Sequence, residues 1–203
     1  MKTFFNYPCF SMAIVVLVAV FVLFAGCTTQ PATPRTVSAS LPYGVNITYP
    51  ADWTRQDVNT NGTRDYGTTT LNIANFYSPA AIAGDQASYT SLSVDIDQNP
   101  GTDFEKYFNN ATLALGKSHG DPTQISAKSN TLMIAGYKTY ELDFDSSEVK
   151  GTYFFTSTEN GMYIFAFKVP NKPLAVQAFQ AQVPDIYKSI RINPLTVDVS
   201  QHR

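Results

Sequence analysis

The stretch Gly151–Val169, GTYFFTSTENGMYIFAFKV, decides how this chain folds. Two aromatic-rich runs, Gly151–Phe155 and Met162–Val169, flank the polar segment Ser157–Gly161. Asn160-Gly161 reads as the positive-φ pair of a tight turn, so the stretch is a β-hairpin. Period-two alternation extends the pattern outward in both directions. Tyr140, Leu142 and Phe144 alternate with Glu141 and Asp143, and Val45, Ile47 and Tyr49 alternate with Asn46 and Thr48. Thr69–Tyr77 and Tyr89–Ile96 read the same way, the latter with Leu92, Val94 and Ile96 facing inward.

Two helices interrupt the strands. Thr102-Asp103-Phe104-Glu105 has the spacing of a capping box, with Thr102 as the N-cap. Phe104, Tyr107, Phe108, Ala111 and Leu115 follow as one apolar stripe, and Gly116 falls where a C-terminal cap wants glycine. The second helix starts near Pro173, with Phe179, Val183, Ile186, Tyr187 and Ile190 as its stripe. Pro184 lies within it and is expected to kink or split it. The fold class is α+β, a central antiparallel β-sheet flanked by helices.

The N-terminal part is organised differently. Ala13–Gly26, AIVVLVAVFVLFAG, carries no polar side chain, and Lys2 is the only charge before it. That length suits a signal-peptide core better than a bilayer-spanning helix of roughly 20 residues. The run ends in Leu23-Phe24-Ala25-Gly26-Cys27, which resembles the lipobox of prokaryotic lipoproteins, with Cys27 as the lipidated residue. Phe24 departs from the usual Leu, and an uncleaved helical anchor remains the alternative. Residues 1–26 hold one Lys and no acid, so their removal takes the formal charge from −2 to −3. Residues 27–42, rich in Ser, Thr and Pro, read as a linker, residues 43–192 as the folded domain and 193–203 as a tail. Both cysteines, Cys9 and Cys27, lie before the domain, which therefore holds no internal disulfide.

Several short patterns invite chemical readings. Gly116-Lys117-Ser118-His119-Gly120 is a G-x-S-x-G match, but a nucleophile elbow needs a strand before the serine and a helix after it. Here a helix precedes it, and the match is a helix end and a turn. With Ala111 where the first glycine belongs, the same letters also fail as a phosphate loop. Asp95, Asp97, Asn99 and Asp103 have oxygens spaced for a Ca or Mn ion. Pro100 and Lys106 break that loop pattern, however, and the plainer reading puts Asp95 and Asp97 on the solvent face of a strand. Asp143 and Asp145, near Glu148, likewise read as a solvated strand face. Asn46, Asn61 and Asn110 each begin an Asn-x-Thr glycosylation sequon. Tyr66, Tyr77 and Tyr89 read as core tyrosines with the hydroxyl at the edge. Two histidines are too few for a His-built metal site, and no basic cluster favours nucleic acid.

Gly44–Asp57, GVNITYPADWTRQD, carries a strand, Tyr-Pro-x-x-Trp and a return strand, with Trp53 as a core anchor. Together with Ala135–Phe144, the hairpin and Ile186–Ile192, it resembles the PsbP-like family over roughly residues 43–192. The resemblance implies an α-β-α sandwich. It also implies a non-enzymatic accessory protein that docks on a membrane protein complex, and it supplies no catalytic residues to carry over. The expectation is therefore a monomer anchored to the cell membrane through an N-terminal lipid or helix. Its domain would lie on the extracytoplasmic side, acting as a binding or assembly module without a cofactor. A lipoprotein that binds a divalent metal or a small ligand is the alternative, and a hydrolase using Ser118 is the third.

Overall fold

A computed structural model describes residues 35–79, 81–83, 86–118 and 125–193. In chain order the strands are β1 (Thr36–Ser40), β2 (Val45–Pro50), β3 (Thr54–Thr63), β4 (Thr69–Tyr77), β5 (Ala81–Ala83), β6 (Gln86–Ser88) and β7 (Ser91–Asp97). Helix α1 (Phe104–Ser118) precedes β8 (Ile125–Ile134), β9 (Tyr137–Asp145), β10 (Val149–Thr158) and β11 (Gly161–Pro170). Helix α2 (Pro173–Ser189) and the short β12 (Arg191–Ile192) follow.

Seven strands form one antiparallel sheet in the order β3-β4-β7-β11-β10-β9-β8. The β10–β11 hairpin lies at its centre, with Phe154 opposite Phe165 and Thr158 opposite Gly161. Both faces of this hairpin are covered, which explains why its residues are apolar almost without alternation. On one face Phe154, Phe165, Phe167 and Val169 join Leu92, Val94 and Ile96 beneath Phe179, Val183 and Ile186 of α2. The three-stranded sheet β1-β2-β12 adds Val45, Ile47 and Tyr49 to the same cluster. On the other face Tyr153, Phe155, Ile164, Tyr140 and Leu142 meet Tyr107, Phe108, Ala111 and Leu115 of α1. Each such aromatic or aliphatic side chain contributes about 1.5–3 kcal/mol by leaving water. The molecule is thus α+β and dominated by sheet, with one helix packed on each face of the large sheet among the described residues.

Several local expectations change. Residues 36–40 are not linker but a strand paired with β2, Ala39 opposite Ile47. Only Ala39 of that strand is buried, so an edge strand of this composition carries no apolar alternation to read. The Pro50–Trp53 turn does not return the chain beside β2. It passes the chain from the small sheet to the large one, where β3 pairs with β4. Trp53 is buried as expected. The cap of α1 is Asp103, whose Oδ1 accepts from the Lys106 amide at 2.9 Å, rather than Thr102. Gly116 lies inside α1, not beyond it, and a Cβ there would come within 3.2 Å of Ile125 Cδ1. Helix α2 runs unbroken through Pro184, because the apolar residues around the proline hold both turns on the sheet.

Candidate functional site: a polar cleft over a buried ion pair

The connection Arg64–Thr68 between β3 and β4 folds back over the α1 face of the large sheet. It is a tight turn, with the Gly67 amide on the Arg64 carbonyl at 2.8 Å and the Arg64 amide on the Thr68 carbonyl at 2.9 Å. Gly67 has φ +79°, and a Cβ there would lie 2.6 Å from Ala114 Cβ. Glycine is therefore required twice, for the left-handed backbone and for the approach to α1. Tyr66 drops from this turn into the core, edge-on to Tyr153 and Phe155, with its hydroxyl 3.1 Å from Thr70 Oγ1. Burial pushes the Tyr66 hydroxyl far above its ordinary pKa.

Beneath the turn lies Asp95 on β7, which is fully buried. Its carboxylate receives Arg64 Nε at 3.0 Å, Asn72 Nδ2 at 3.0 Å and Ser93 Oγ at 3.0 Å. Burial raises its pKa, while Arg64 and then the Asn72 and Ser93 hydrogen bonds pull it back down. Beside this group, Asp65 Oδ2 accepts from Tyr153 Oη and pairs with Lys168 Nζ. Burial, followed by the Asp65 charge, drives the Tyr153 hydroxyl well up. The turn is thus pinned by two ion pairs and two tyrosines.

A cleft of about 290 Å³ opens next to it, between the β3–β4 turn, the end of β7 and α1. Tyr66, Thr68, Asp97, Asn99, Tyr107 and Asn110 line it. A second hollow of about 330 Å³ shares Pro100, Tyr107 and Asn110 and extends to Asp103 and Lys106. Asp97 is only 8% exposed. Its Oδ1 accepts from the Asn99 amide at 2.9 Å, and no cation pairs with it among the described residues. Tyr107 Oη is buried beside Thr68 and Asp97 yet completes no hydrogen bond of normal geometry. Burial raises this hydroxyl's pKa; the nearby Thr68 hydroxyl pulls it back, while Asp97, by charge and by hydrogen-bonding contact, and then Asp95 add to the rise.

The residues expected to bear chemistry are scattered across these roles. Asp95 and Asp97 do not lie on a solvent face, because the β3–β4 turn and α1 cover that side of β7. Asp95 is committed to Arg64, Asp97 faces the cleft with Asn99, and Asp103 caps α1. Among the described residues no three His, Cys, Asp or Glu side chains converge on one point. Ser118 ends α1 and donates to the Leu115 carbonyl at 3.1 Å, while His119 and His202 lie outside the described residues. Asp143 and Asp145 are half-buried, accepting from Thr152 Oγ1 at 2.6 Å and pairing with Lys150 at 2.6 Å respectively. Asn61 is exposed on β3, Asn110 is exposed on α1 at the cleft, and Asn46 accepts from Ser40 Oγ at 2.6 Å. Tyr66 is core and Tyr77 half-buried, whereas Tyr89 is 48% exposed and not a core residue. Cys9, Cys27 and the apolar run 13–26 lie outside the described residues, among which no helix is long and apolar enough to cross a membrane. The cleft itself was not foreseen. Its one sequence signal is Arg64-Asp65-Tyr66-Gly67, a charged turn placed directly before a strand.

The match to a solved PsbP structure makes this a PsbP-like fold. Among solved structures, the solution structure of cyanobacterial PsbP (CyanoP) from Synechocystis sp. PCC 6803 matches with a TM-score of 0.53 at 15% sequence identity, over 83% of this chain and 98% of that one. LpqN, involved in cell envelope biogenesis of Mycobacterium tuberculosis, superposes with a TM-score of 0.45 at 8% identity, over 82% of this chain and 88% of that one. At 15% identity the likeness to cyanobacterial PsbP is one of fold. No protein-family model and no curated protein matches the chain.

Proposed function

We propose that this chain is a membrane-tethered, extracytoplasmic binding module that docks on a membrane protein complex and carries out no catalysis. The observation that carries the reading is the distance along the chain between Cys27 and β1. The domain begins by Thr36, so a chain lipidated at Cys27 has only residues 28–35 as its tether. At roughly 3.3–3.6 Å per extended residue, such a tether keeps the domain close to the bilayer, where its partner must also lie. The PsbP-like fold supports the same reading by analogy. So does the employment of Ser118, Asp95 and Asp103 in helix ends and ion pairing.

Cross-linking of the full chain in its native membrane, followed by mass spectrometry of the captured proteins, tests the proposal. One stoichiometric membrane complex is expected. A scatter of abundant proteins, or release of the chain from membranes in a Cys27→Ser variant without change in its cross-links, would overturn it.

A further inference from the structure

We propose that the cleft between the β3–β4 turn, the end of β7 and α1 is a binding site for an alkylammonium or guanidinium head. The inference rests on the binding-module reading only in taking the domain to bind rather than to transform its ligand.

Three observations carry it. The first is Asp97, a carboxylate 8% exposed that lines the cleft without a cationic partner among the described residues. A buried charge is ordinarily paired with an opposite one, and Asp97 has the Asn99 amide but no cation among the described residues to offset its desolvation. Nearby acids follow that rule: Asp95 has Arg64 and Asp65 has Lys168. The second is Tyr107 Oη, buried at the wall of both hollows beside Thr68 and Asp97 but without a hydrogen bond of normal geometry to either. A buried hydroxyl whose hydrogen bonds are this poorly formed needs a reason, and a ligand that completes them supplies one. The third is the kind of atoms around them. Asn99 and Asn110 offer amide oxygens, Thr68 a hydroxyl, and no lysine or arginine lines this lobe.

An oxygen-lined recess with one carboxylate matches a nitrogen cation carrying several N–H donors. The negative potential of Asp97, with Arg64 spent on Asp95, disfavours an anion. A divalent metal is a poorer fit, because it wants more than one carboxylate and no acidic cluster exists there among the described residues. At about 290 Å³ the hollow admits a head group and a short alkyl stem. The same head could belong to a free amine or to a lysine or arginine of the docked partner.

The test is an amide NMR titration of the full chain in detergent micelles at fixed ionic strength. The probes are n-propylammonium, n-propylguanidinium, Nα-acetyl-lysine methylamide, CaCl2 and MgCl2. Expected are saturable shifts confined to Thr68, Asp97, Asn99 and Asn110 with the organic cations. Affinity should fall by about tenfold or more in Asp97→Asn, the loss of one charge-assisted contact. Tyr107→Phe, which keeps the ring and removes only the hydroxyl, should fold normally and bind several-fold more weakly. It thus tests the site even if Asp97→Asn does not fold. Preference for the lysine mimic over propylammonium would assign the head to a partner side chain, and the reverse to a free amine; both sustain the site. Absence of saturation, equal binding by both variants, or a response to CaCl2 alone would overturn it. An Asp97→Asn chain that binds no amine yet cross-links unchanged would leave the docking reading intact and assign the cleft to a free ligand.

Discussion

Arg64 Nε lies 3.0 Å from the carboxylate of Asp95, a side chain with 1% exposure, and joins the β3–β4 turn to the sheet beneath it. The pair is lopsided, because Arg64 keeps 27% of its side chain in solvent while Asp95 keeps almost none. Removing Arg64 strands the acid, whereas removing the acid returns Arg64 to water.

Arg64→Ala should therefore destabilise the fold by about 3 kcal/mol, the lower end for breaking a buried pair because Arg64 is partly solvated. Urea denaturation at neutral pH measures this. The loss should shrink toward pH 4, where protonation neutralises the stranded carboxylate. A penalty unchanged between pH 7 and pH 4 would show that the guanidinium acts by packing alone.

The same acid sets a pH dependence. Its folded pKa is raised above the ordinary 3.8, so the native state holds the proton more tightly than the unfolded chain. The stabilisation from that proton is fully present below pH 3.8 and is lost as pH rises through the raised value. Asp95→Asn should remove this component, leaving stability flatter across the acidic range. Denaturation midpoints of the two proteins between pH 3 and pH 7 check the sign, and parallel curves would refute it.

The helix cap tests what sequence alone misjudged. Thr102 and Asp103 both suit an N-cap, and a capping box with Glu105 favours Thr102. Backbone geometry decides otherwise, starting the helix at Phe104 with Asp103 over the Lys106 amide. Asp103→Ala should cost about 1 kcal/mol and Thr102→Ala almost nothing. Thermal unfolding of both variants compares them, and equal losses would restore the Thr102 reading.

These cases show where the chain was readable. Val45, Ile47 and Tyr49 are buried in the small sheet as their alternation required, and the stripe from Tyr107 to Leu115 packs where helical spacing put it. Such elements report burial, the strongest term in the sequence. The cleft was illegible for the opposite reason. Asp95 and Asp97 alternate with apolar residues just as solvent-facing acids do, and only the fold-back of Arg64–Thr68 and α1 covers them. The edge strand Thr36–Ser40 escaped because one buried Ala39 leaves no pattern.

The central hairpin carries a second misplacement with a measurable consequence. The turn residues between Thr158 and Gly161 are Glu159 and Asn160, and of these neighbours only Gly161, at φ +134°, has a positive φ. A Cβ on Gly161 would lie 2.5 Å from the Asp97 carbonyl oxygen, so the glycine serves the approach of β11 to β7. Gly161→Ala should cost about 3 kcal/mol or more, combining backbone strain with overpacking. Asn160→Ala should cost under about 1 kcal/mol as an exchange in a loop. Similar losses for the two would mean that the turn, not the strand contact, needs the glycine.

Positive φ values at both turn positions occur instead between β8 and β9, at Ala135 (φ 53°) and Gly136 (φ 85°), with Ile134 opposite Tyr137. Alanine there carries a Cβ in the left-handed region, which costs roughly 1–2 kcal/mol relative to a residue at ease in it. Asparagine tolerates that region and makes Asn-Gly, the favoured pair for this turn. Ala135 is half-buried against the α2-side core, so the larger side chain forfeits part of the gain. Ala135→Asn should therefore raise stability by about 0.5–1 kcal/mol, seen as a higher urea midpoint with an unchanged slope. A lower midpoint would mean that the methyl contact with the core outweighs the relief of backbone strain.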